Sequence, residues 1–207
     1  VLQQQHVDMH TVAGFAVNGL GHEGGGLAIL QQKKSGEVKL LGYGPMKFAG
    51  DVKVEGDILW VAEGFDGLAA YKIGRGAKIE FIARYKDFFN DGSNVACQWV
   101  FTPTSNIIAA GPRTGKYYYL DVSNLPEIRC LGHVGYGPGW DKYPSNKADT
   151  KGWYPSVRNR AGIMWLDLNA EKLVQIKDDS IKPYLTAGIC LFRNDTFLTC
   201  TYGSMYT

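Results

Sequence analysis

Histidine is the residue type in this chain best suited to hold a metal ion, and the chain has 4 of them. His6 and His10 are four residues apart, a spacing that places two ligands on one side of a helix. In a strand the two residues also share a face, but they are about 13 Å apart, too far for one ion to bridge. A metal site would therefore need a further ligand from His22 or His133. The alternative hypothesis of a metal site has His6, His10 and His22 as candidate ligands. The leading prediction has no cofactor.

The other motifs that could carry chemistry are weak. The glycine-rich segment from Asn18 to Gly26 could bind a ligand or simply turn, because glycine permits a close backbone approach. It lacks the Lys-Ser/Thr pair of a phosphate-binding loop and does not join a strand to a helix, so phosphate binding is not expected. No nucleophile elbow, Ser-His-Asp order or paired-carboxylate motif is present.

The four cysteines do not define a redox or haem site. They form no C-x-x-C pair and no haem-attachment motif, and three of them lie in apolar runs that read as strands. Free, buried thiols are the favoured interpretation and disulfides the alternative, so cysteine usage leaves the compartment open. The four residues are Cys97, Cys130, Cys190 and Cys200.

The segment Gly50–Tyr85 shows which elements would position these side chains. It holds three apolar runs separated by Gly- and Asp-containing turns, with a weaker strand at Asp51–Val54 in front. Runs of this length are typical of strands. Four strands joined by tight turns form an antiparallel meander of about 40 residues, the size of a propeller blade. The three apolar runs are Ile58–Ala62, Gly67–Ile73 and Ile79–Ala83.

The pattern recurs along the chain. A glycine opens the third strand of each repeat at intervals of about 40 to 50 residues, which is a propeller-like period. The alternative is an irregular all-β fold in which glycines fall at this spacing by chance. The anchoring glycines are Gly26, Gly67, Gly115, Gly162 and Gly203, and the five repeats cover roughly residues 3–43, 50–85, 94–132, 133–177 and 183–207 of one domain.

The second repeat resembles the LVIVD-type repeat of β-propellers. The likeness lies in Gly50-Asp51-Val52, in the run from Gly56 to Ala62 and in the run from Gly67 to Ile73. It is close over that repeat, and the other repeats match only around the third strand. The resemblance implies an all-β propeller of four-stranded antiparallel blades. We expect the five visible repeats to belong to a ring of six to eight blades, with a closed five-bladed ring as the alternative.

In a propeller, the links from second to third strands and from each outer strand to the next blade share one face of the ring, where binding sites usually lie. The predicted ligand or partner face therefore contains His22, Glu23, Arg113, His133, Tyr136, Trp140 and Trp153, with Asp66, Asp87 and Asp91 in the same loops. The competing interpretation is a set of solvated turn residues, and Asp-Gly pairs at Asp66 and Asp91 favour turns.

The longest interruption of the repeat runs from Gly132 to Val157 and holds the start of the fourth repeat plus an inserted loop. Its aromatic residues argue for order, and such residues often anchor interfaces. We predict a wall that contacts a partner or ligand. A lid covering the apolar edge of its own blade is equally compatible. The aromatic residues are Trp140, Tyr143, Trp153 and Tyr154.

Composition limits the function classes. The chain has 207 residues, 45% hydrophobic, and a net charge of +2 from 22 basic and 20 acidic residues. No basic cluster suggests nucleic acid, and no apolar run approaches the roughly 18 residues of a membrane span. The chain begins with Val and shows no signal peptide, so we expect processing at the N-terminus or a piece of a longer protein.

Two functional hypotheses remain. The leading one is a non-catalytic propeller that acts as an interaction platform for protein subunits in a larger extracytoplasmic complex, periplasmic or secreted. The alternative is an enzyme or enzyme subunit with a metal- or haem-linked redox site on the loop face. Propeller subunits of periplasmic haem complexes, as in hydrazine synthase, would have a similar sequence. Bound metal or haem in the native protein would favour this alternative.

Overall fold

The computed structural model describes residues 11–15, 25–74, 78–90, 92–112, 115–134, 147–158, 162–170, 174–178 and 186–201. In these ranges every regular element is a β-strand, which confirms the all-β prediction, and none of the described segments is a helix that could cross a membrane. In chain order the strands are β1 (Thr11–Phe15), β2 (Gly25–Gln32), β3 (Val38–Met46), β4 (Asp51–Glu55), β5 (Ile58–Ala62), β6 (Leu68–Ile73), β7 (Ile79–Tyr85), β8 (Phe89–Asn90), β9 (Ser93–Asn94), β10 (Trp99–Phe101), β11 (Ile107–Gly111), β12 (Tyr117–Asp121), β13 (Arg129–Val134), β14 (Trp153–Arg158), β15 (Gly162–Asp167), β16 (Val174–Asp178), β17 (Thr186–Arg193) and β18 (Thr196–Thr201).

Each described sheet is an antiparallel meander in which strands adjacent in sequence are adjacent in space. The sheets are β1-β2-β3, β4-β5-β6-β7, β8-β9, β10-β11-β12-β13, β14-β15-β16 and β17-β18. The meander predicted for Gly50–Tyr85 is confirmed as the four-stranded sheet β4–β7, and β5 has the predicted limits. The alternation of apolar residues and the glycine turns were therefore sufficient to identify this sheet.

The chain divides into two compact units. The first contains Val1–Val100, Ala110–Arg113 and Asn124–Ile128, and the second contains Phe101–Ala109, Thr114–Ser123 and Arg129–Thr207. The sheets β1–β3 and β4–β7 belong to the first unit, and the sheets β14–β16 and β17–β18 belong to the second.

The core of the first unit lies on β5, which is buried on both faces. Leu59 and Val61 point to one face and pack with Leu27 of β2 and with Ala49. Trp60 points to the opposite face, between Lys53 and Ala70 in the sheet register. Trp60 is only 1% exposed, so this second face of β5 is buried as well. A strand covered on both faces is nearly continuously apolar, as the Ile-Leu-Trp-Val-Ala run is.

The core of the second unit joins consecutive sheets through aromatic contacts. Tyr119 of β12 meets Tyr154 of β14 edge to face, with ring centroids 6.0 Å apart. On the other face of the sheet β14–β16, Trp165 meets Phe197 of β18 at 5.4 Å. Tyr154 and Leu166 are fully buried. The middle sheet of this unit therefore packs on both sides, in the order of the chain.

Two boundaries differ from the sequence prediction. The interruption of the repeat was expected to begin at Gly132, but strand β13 continues to Val134 because Tyr117 and Tyr118 pair with Val134 and His133 beyond a shift in register. Strand β14 begins at Trp153, so the interruption ends before its expected limit at Val157, and Trp153 and Tyr154 belong to a sheet. The aromatic side chains pack on neighbouring strands, and this packing extends the sheets into the glycine- and proline-rich sequence.

Candidate functional site

A cavity of about 310 Å³ lies in the second unit, beside the sheet β14–β16 and the hairpin β17–β18. Three aromatic rings and two carboxylates form its wall. Aromatic walls with a few fixed polar groups are typical of small-molecule sites. The lining residues are Asp149, Trp153, Trp165, Asp195 and Phe197.

The strand register places the aromatic walls. Trp153 pairs with Asp167, and Trp165 pairs with Pro155, so the two tryptophans project from the same face of neighbouring strands. Phe197 comes from β18, and its ring meets the Trp165 ring at an interplanar angle of 73°. Ile189 is buried beneath Trp165 and Phe197. Core packing therefore holds the rings of Trp165 and Phe197.

The carboxylate of Asp149 is held by the turn that precedes β14. Its Oδ1 accepts hydrogen bonds from the backbone N–H groups of Lys151 and Trp153, each at 2.8 Å. The backbone N–H of Asp149 donates to the carbonyl oxygen of Trp153 at 2.9 Å. These bonds are accepted by one carboxylate oxygen, and Oδ2 takes part in neither. The turn therefore fixes both an anion and an aromatic ring at the cavity.

A glycine makes this turn possible. Gly152 has a φ of +84°, a conformation that other residues adopt at a cost. A Cβ at this position would lie 2.3 Å from Nδ2 of Asn169. That same amide group donates a hydrogen bond of 2.5 Å to the carbonyl oxygen of Lys151. A side chain at residue 152 would therefore displace the amide that closes the turn.

The second carboxylate, Asp195, lies in the turn between β17 and β18 and is exposed. The hydroxyl of Thr196 donates to its Oδ1 at 3.4 Å, which is a long hydrogen bond. The backbone N–H of Thr150 donates to the carbonyl oxygen of Asn194 at 2.9 Å and so ties the Asp149 turn to the hairpin turn. Backbone contacts thus hold the Asp149 carboxylate and the turn that carries Asp195 close to the aromatic walls.

A second polar cluster lies in the first unit. Glu63 is 6% exposed, accepts a hydrogen bond from the Tyr71 hydroxyl at 2.5 Å and forms an ion pair with Arg84. Burial, followed by the hydrogen bond to Glu63, raises the pKa of Tyr71 well above its usual range. Burial lowers the pKa of Arg84, but the charge and hydrogen bond of Glu63 outweigh it and raise the pKa overall. The guanidinium also lies 5.3 Å from the ring centroid of Phe81. The carboxylate of Glu63 is paired with the Arg84 guanidinium and the Tyr71 hydroxyl, so we interpret this cluster as a structural one.

Most of the predicted site residues lie outside the described ranges. Trp153 is the one that lines the cavity. His133 was expected in a loop, but it is an exposed residue of β13 whose ring lies 5.3 Å from that of Tyr118. Oδ1 of Asp66 lies 4.0 Å from Nζ of Lys86. Asp87 is exposed. The predicted residues outside the described ranges are His6, His10, His22, Glu23, Asp91, Arg113, Tyr136 and Trp140, together with Tyr143 of the predicted wall.

Among the described residues, no three His, Cys, Asp or Glu side chains lie together in a way that could hold a metal ion. The histidine candidates His6, His10 and His22 fall outside the described ranges. The described cysteines Cys97, Cys130 and Cys190 are free. Cys97 is buried, but Cys130 and Cys190 are exposed, so the expectation of a buried thiol was wrong for these two.

Sequence reasoning missed four of the five lining residues. Successive side chains of a strand point to opposite faces, so the sequence of β15 does place Trp165 on the face opposite Leu166. Asp149 begins an Asp-Thr-Lys-Gly turn, whose aspartate commonly accepts hydrogen bonds from the following backbone. Phe197 and Asp195 carry no such signal, because only the packing of the hairpin on β15 brings them to the cavity.

Comparison with models of known protein families returns no match for this chain. A search of curated proteins likewise returns no match. Any function assigned to the chain must therefore rest on its own sequence and geometry.

Proposed function

We propose that this chain is a non-catalytic β-propeller interaction platform and a subunit of a larger extracytoplasmic complex. Two features of the fold support the propeller. The described sheets are antiparallel meanders that follow one another in sequence. The sequence repeats at a blade-like interval, and its second repeat resembles the LVIVD type.

The packing of consecutive meanders supports the same proposal. In the first unit, Leu27 of β2 packs with Leu59 of β5. In the second unit, Tyr119 packs with Tyr154, and Trp165 packs with Phe197. Blades of a propeller cover one another in this way, each burying both faces against its neighbours in the ring. A ring of six to eight such blades would leave short edges, which suits a soluble scaffold.

The cavity is the observation that carries the binding role. The rings of Trp165 and Phe197 come from two sheets and pack against each other, and the Asp149 carboxylate is fixed by two backbone hydrogen bonds. A preformed site of this kind loses little conformational entropy when it is filled. Tryptophan is the residue type most enriched among interface hot spots, and the cavity has two. We infer that a partner subunit of the complex inserts a group here.

Site-specific photocrosslinking in the native cell tests the platform. A photoreactive amino acid at Thr196, which follows Asp195 at the rim, should link the protein to one defined partner subunit. The same probe at Ser123, an exposed turn residue of the same unit, serves as the control. Linkage that is absent at both positions, or equal at both, contradicts a partner at the cavity.

Electron microscopy of the full natural protein tests the propeller independently. Projection averages should show a ring of six to eight blades around a central channel. A two-layered sandwich profile would overturn the propeller while leaving the all-β description intact.

A further inference from the structure

We propose that the cavity of the second unit binds an organic cation of the alkylammonium type. This inference names the chemistry of the group that the proposed platform accepts, and so it rests on the proposed function. It is carried by the composition of the cavity wall: three aromatic rings and two carboxylates around about 310 Å³.

The aromatic rings supply the first half of the argument. The faces of indole and phenyl rings are electronegative and attract ammonium groups, and tryptophan does so most strongly. Alkylated ammonium groups are weakly hydrated at their carbon atoms, so contact with apolar rings also removes hydrocarbon from water. Trp153, Trp165 and Phe197 offer such surfaces from two neighbouring sheets.

The two aspartates of the cavity supply negative charge that would attract a cation. Asp149 and Asp195 place two negative charges beside the three aromatic side chains. Arg193, close to Asp195 in sequence, stacks its guanidinium 4.9 Å from the ring centroid of Phe192, which is not a lining residue. The charge of the cavity wall is therefore negative, which favours cations and disfavours phosphates and carboxylates.

The size of the cavity limits the ligand. Small-molecule sites span about 300–1,000 Å³, and this cavity is at the lower end of that range. It suits a head group or the end of a side chain better than a large cofactor. The alkylammonium group could belong to a free amine such as choline or to a methylated lysine side chain of a partner.

Titration with choline chloride against the intrinsic tryptophan fluorescence tests the inference. We expect saturable quenching by choline, at least about tenfold tighter than that by 3,3-dimethylbutan-1-ol, its uncharged isostere of nearly the same shape. The difference measures the contribution of charge, since the apolar contacts are shared. N-acetyl-trimethyllysine amide, titrated in the same way, separates the two sources: tighter binding than choline indicates a partner side chain.

Matched charge variants locate the site. Asp149→Asn with Asp195→Asn should weaken choline binding at least about tenfold, because the asparagines retain hydrogen-bonding oxygens and remove only the charges. The control Asp57→Asn with Glu127→Gln makes the same change in net charge at exposed residues of the first unit and should leave binding within about twofold. Far-UV circular dichroism confirms that each variant is folded.

Several results would overturn the inference. Equal binding of choline and its uncharged isostere, saturation by a neutral sugar such as maltose but not by choline, or equal loss in both charge variants each contradict a cation site at the cavity. The outcome is separable from that of the platform. Failure of choline to bind while Thr196 still crosslinks to a partner rejects the cation and retains the platform, and the reverse pattern rejects the platform.

Discussion

The partly buried ion pair of Glu63 and Arg84 in the first unit allows a quantitative test of the fold. Replacing Arg84 by methionine keeps much of the side-chain volume but leaves Glu63, which is 6% exposed, without its cation. Breaking a fully buried pair costs about 3–5 kcal/mol, mostly because a charge stays buried without compensation. The side chain of Arg84 is 30% exposed, so water replaces part of the interaction. We expect Arg84→Met to lower the free energy of unfolding by about 2–3 kcal/mol.

A double-mutant cycle isolates the pair. Glu63→Gln removes the charge but keeps an acceptor for the Tyr71 hydroxyl, so it should cost about 1 kcal/mol. The double variant, Glu63→Gln with Arg84→Met, buries no unpaired charge. The coupling energy should be about 2 kcal/mol, which exceeds the cost of Glu63→Gln, so the double variant should be more stable than Arg84→Met alone. Urea denaturation followed by tryptophan fluorescence measures all four proteins.

The exposed pair of Lys33 and Glu37 provides the control, since its side chains are 48% and 60% exposed. Lys33→Met should change the free energy of unfolding by less than about 0.5 kcal/mol. If the double variant of the buried pair loses the sum of the two single losses, or if Arg84→Met matches Lys33→Met, the reasoning from burial is refuted.

Three further predictions concern single residues. Trp60→Ala should cost about 3–5 kcal/mol by urea denaturation because the side chain is buried, and a midpoint like that of the unchanged protein would contradict that burial. Gly67→Ala should lower the free energy of unfolding by at least about 2 kcal/mol, since φ is +92° and a Cβ would lie 2.1 Å from the carbonyl oxygen of Tyr85. Gly56→Ala, at φ +61° with no atom near its Cβ, should lower it clearly less in the same assay. Burial raises the pKa of the Cys97 thiol, so a thiol reagent at neutral pH should modify the exposed Cys130 and Cys190 first. All four cysteines should react only after denaturation. Rapid labelling of Cys97 in the native protein would count against its burial.

The sequence predicted the sheets best where local signals agree. In β4–β7, apolar runs, turn glycines and strand length all indicate the same meander, and Gly67 is required by its positive φ and by the close approach of Tyr85. Prediction was less accurate at β13 and β14. There the strands extend into sequence rich in glycine and proline, because pairings such as Tyr118 with His133 stabilise them. Local propensity does not contain such cross-strand packing.

The candidate site was less predictable than the fold, for a physical reason. Trp153 was identified because aromatic residues in an interruption of the repeat are conspicuous. Asp195 and Phe197 were not, because they reach the cavity from a separate hairpin that is recognisable only through its packing on Trp165. A site assembled from distant segments depends on tertiary contacts, and the spacing of its residues in the sequence does not indicate those contacts.

The aromatic residues of the cavity also hold the hairpin β17–β18 in place. A two-stranded hairpin is at best marginally stable in water, and here Phe197 and Ile189 pack against Trp165. Truncating Trp165 or Phe197 would thus weaken the fold and the site together, and lost binding would say nothing about the ligand. The rim carboxylates differ, because Asp195 is exposed and Asp149→Asn retains the oxygen that accepts the turn hydrogen bonds. A ligand that contacts both sheets should therefore raise the stability of the hairpin by mass action, and the charge variants should abolish that increase without lowering the stability of the free protein.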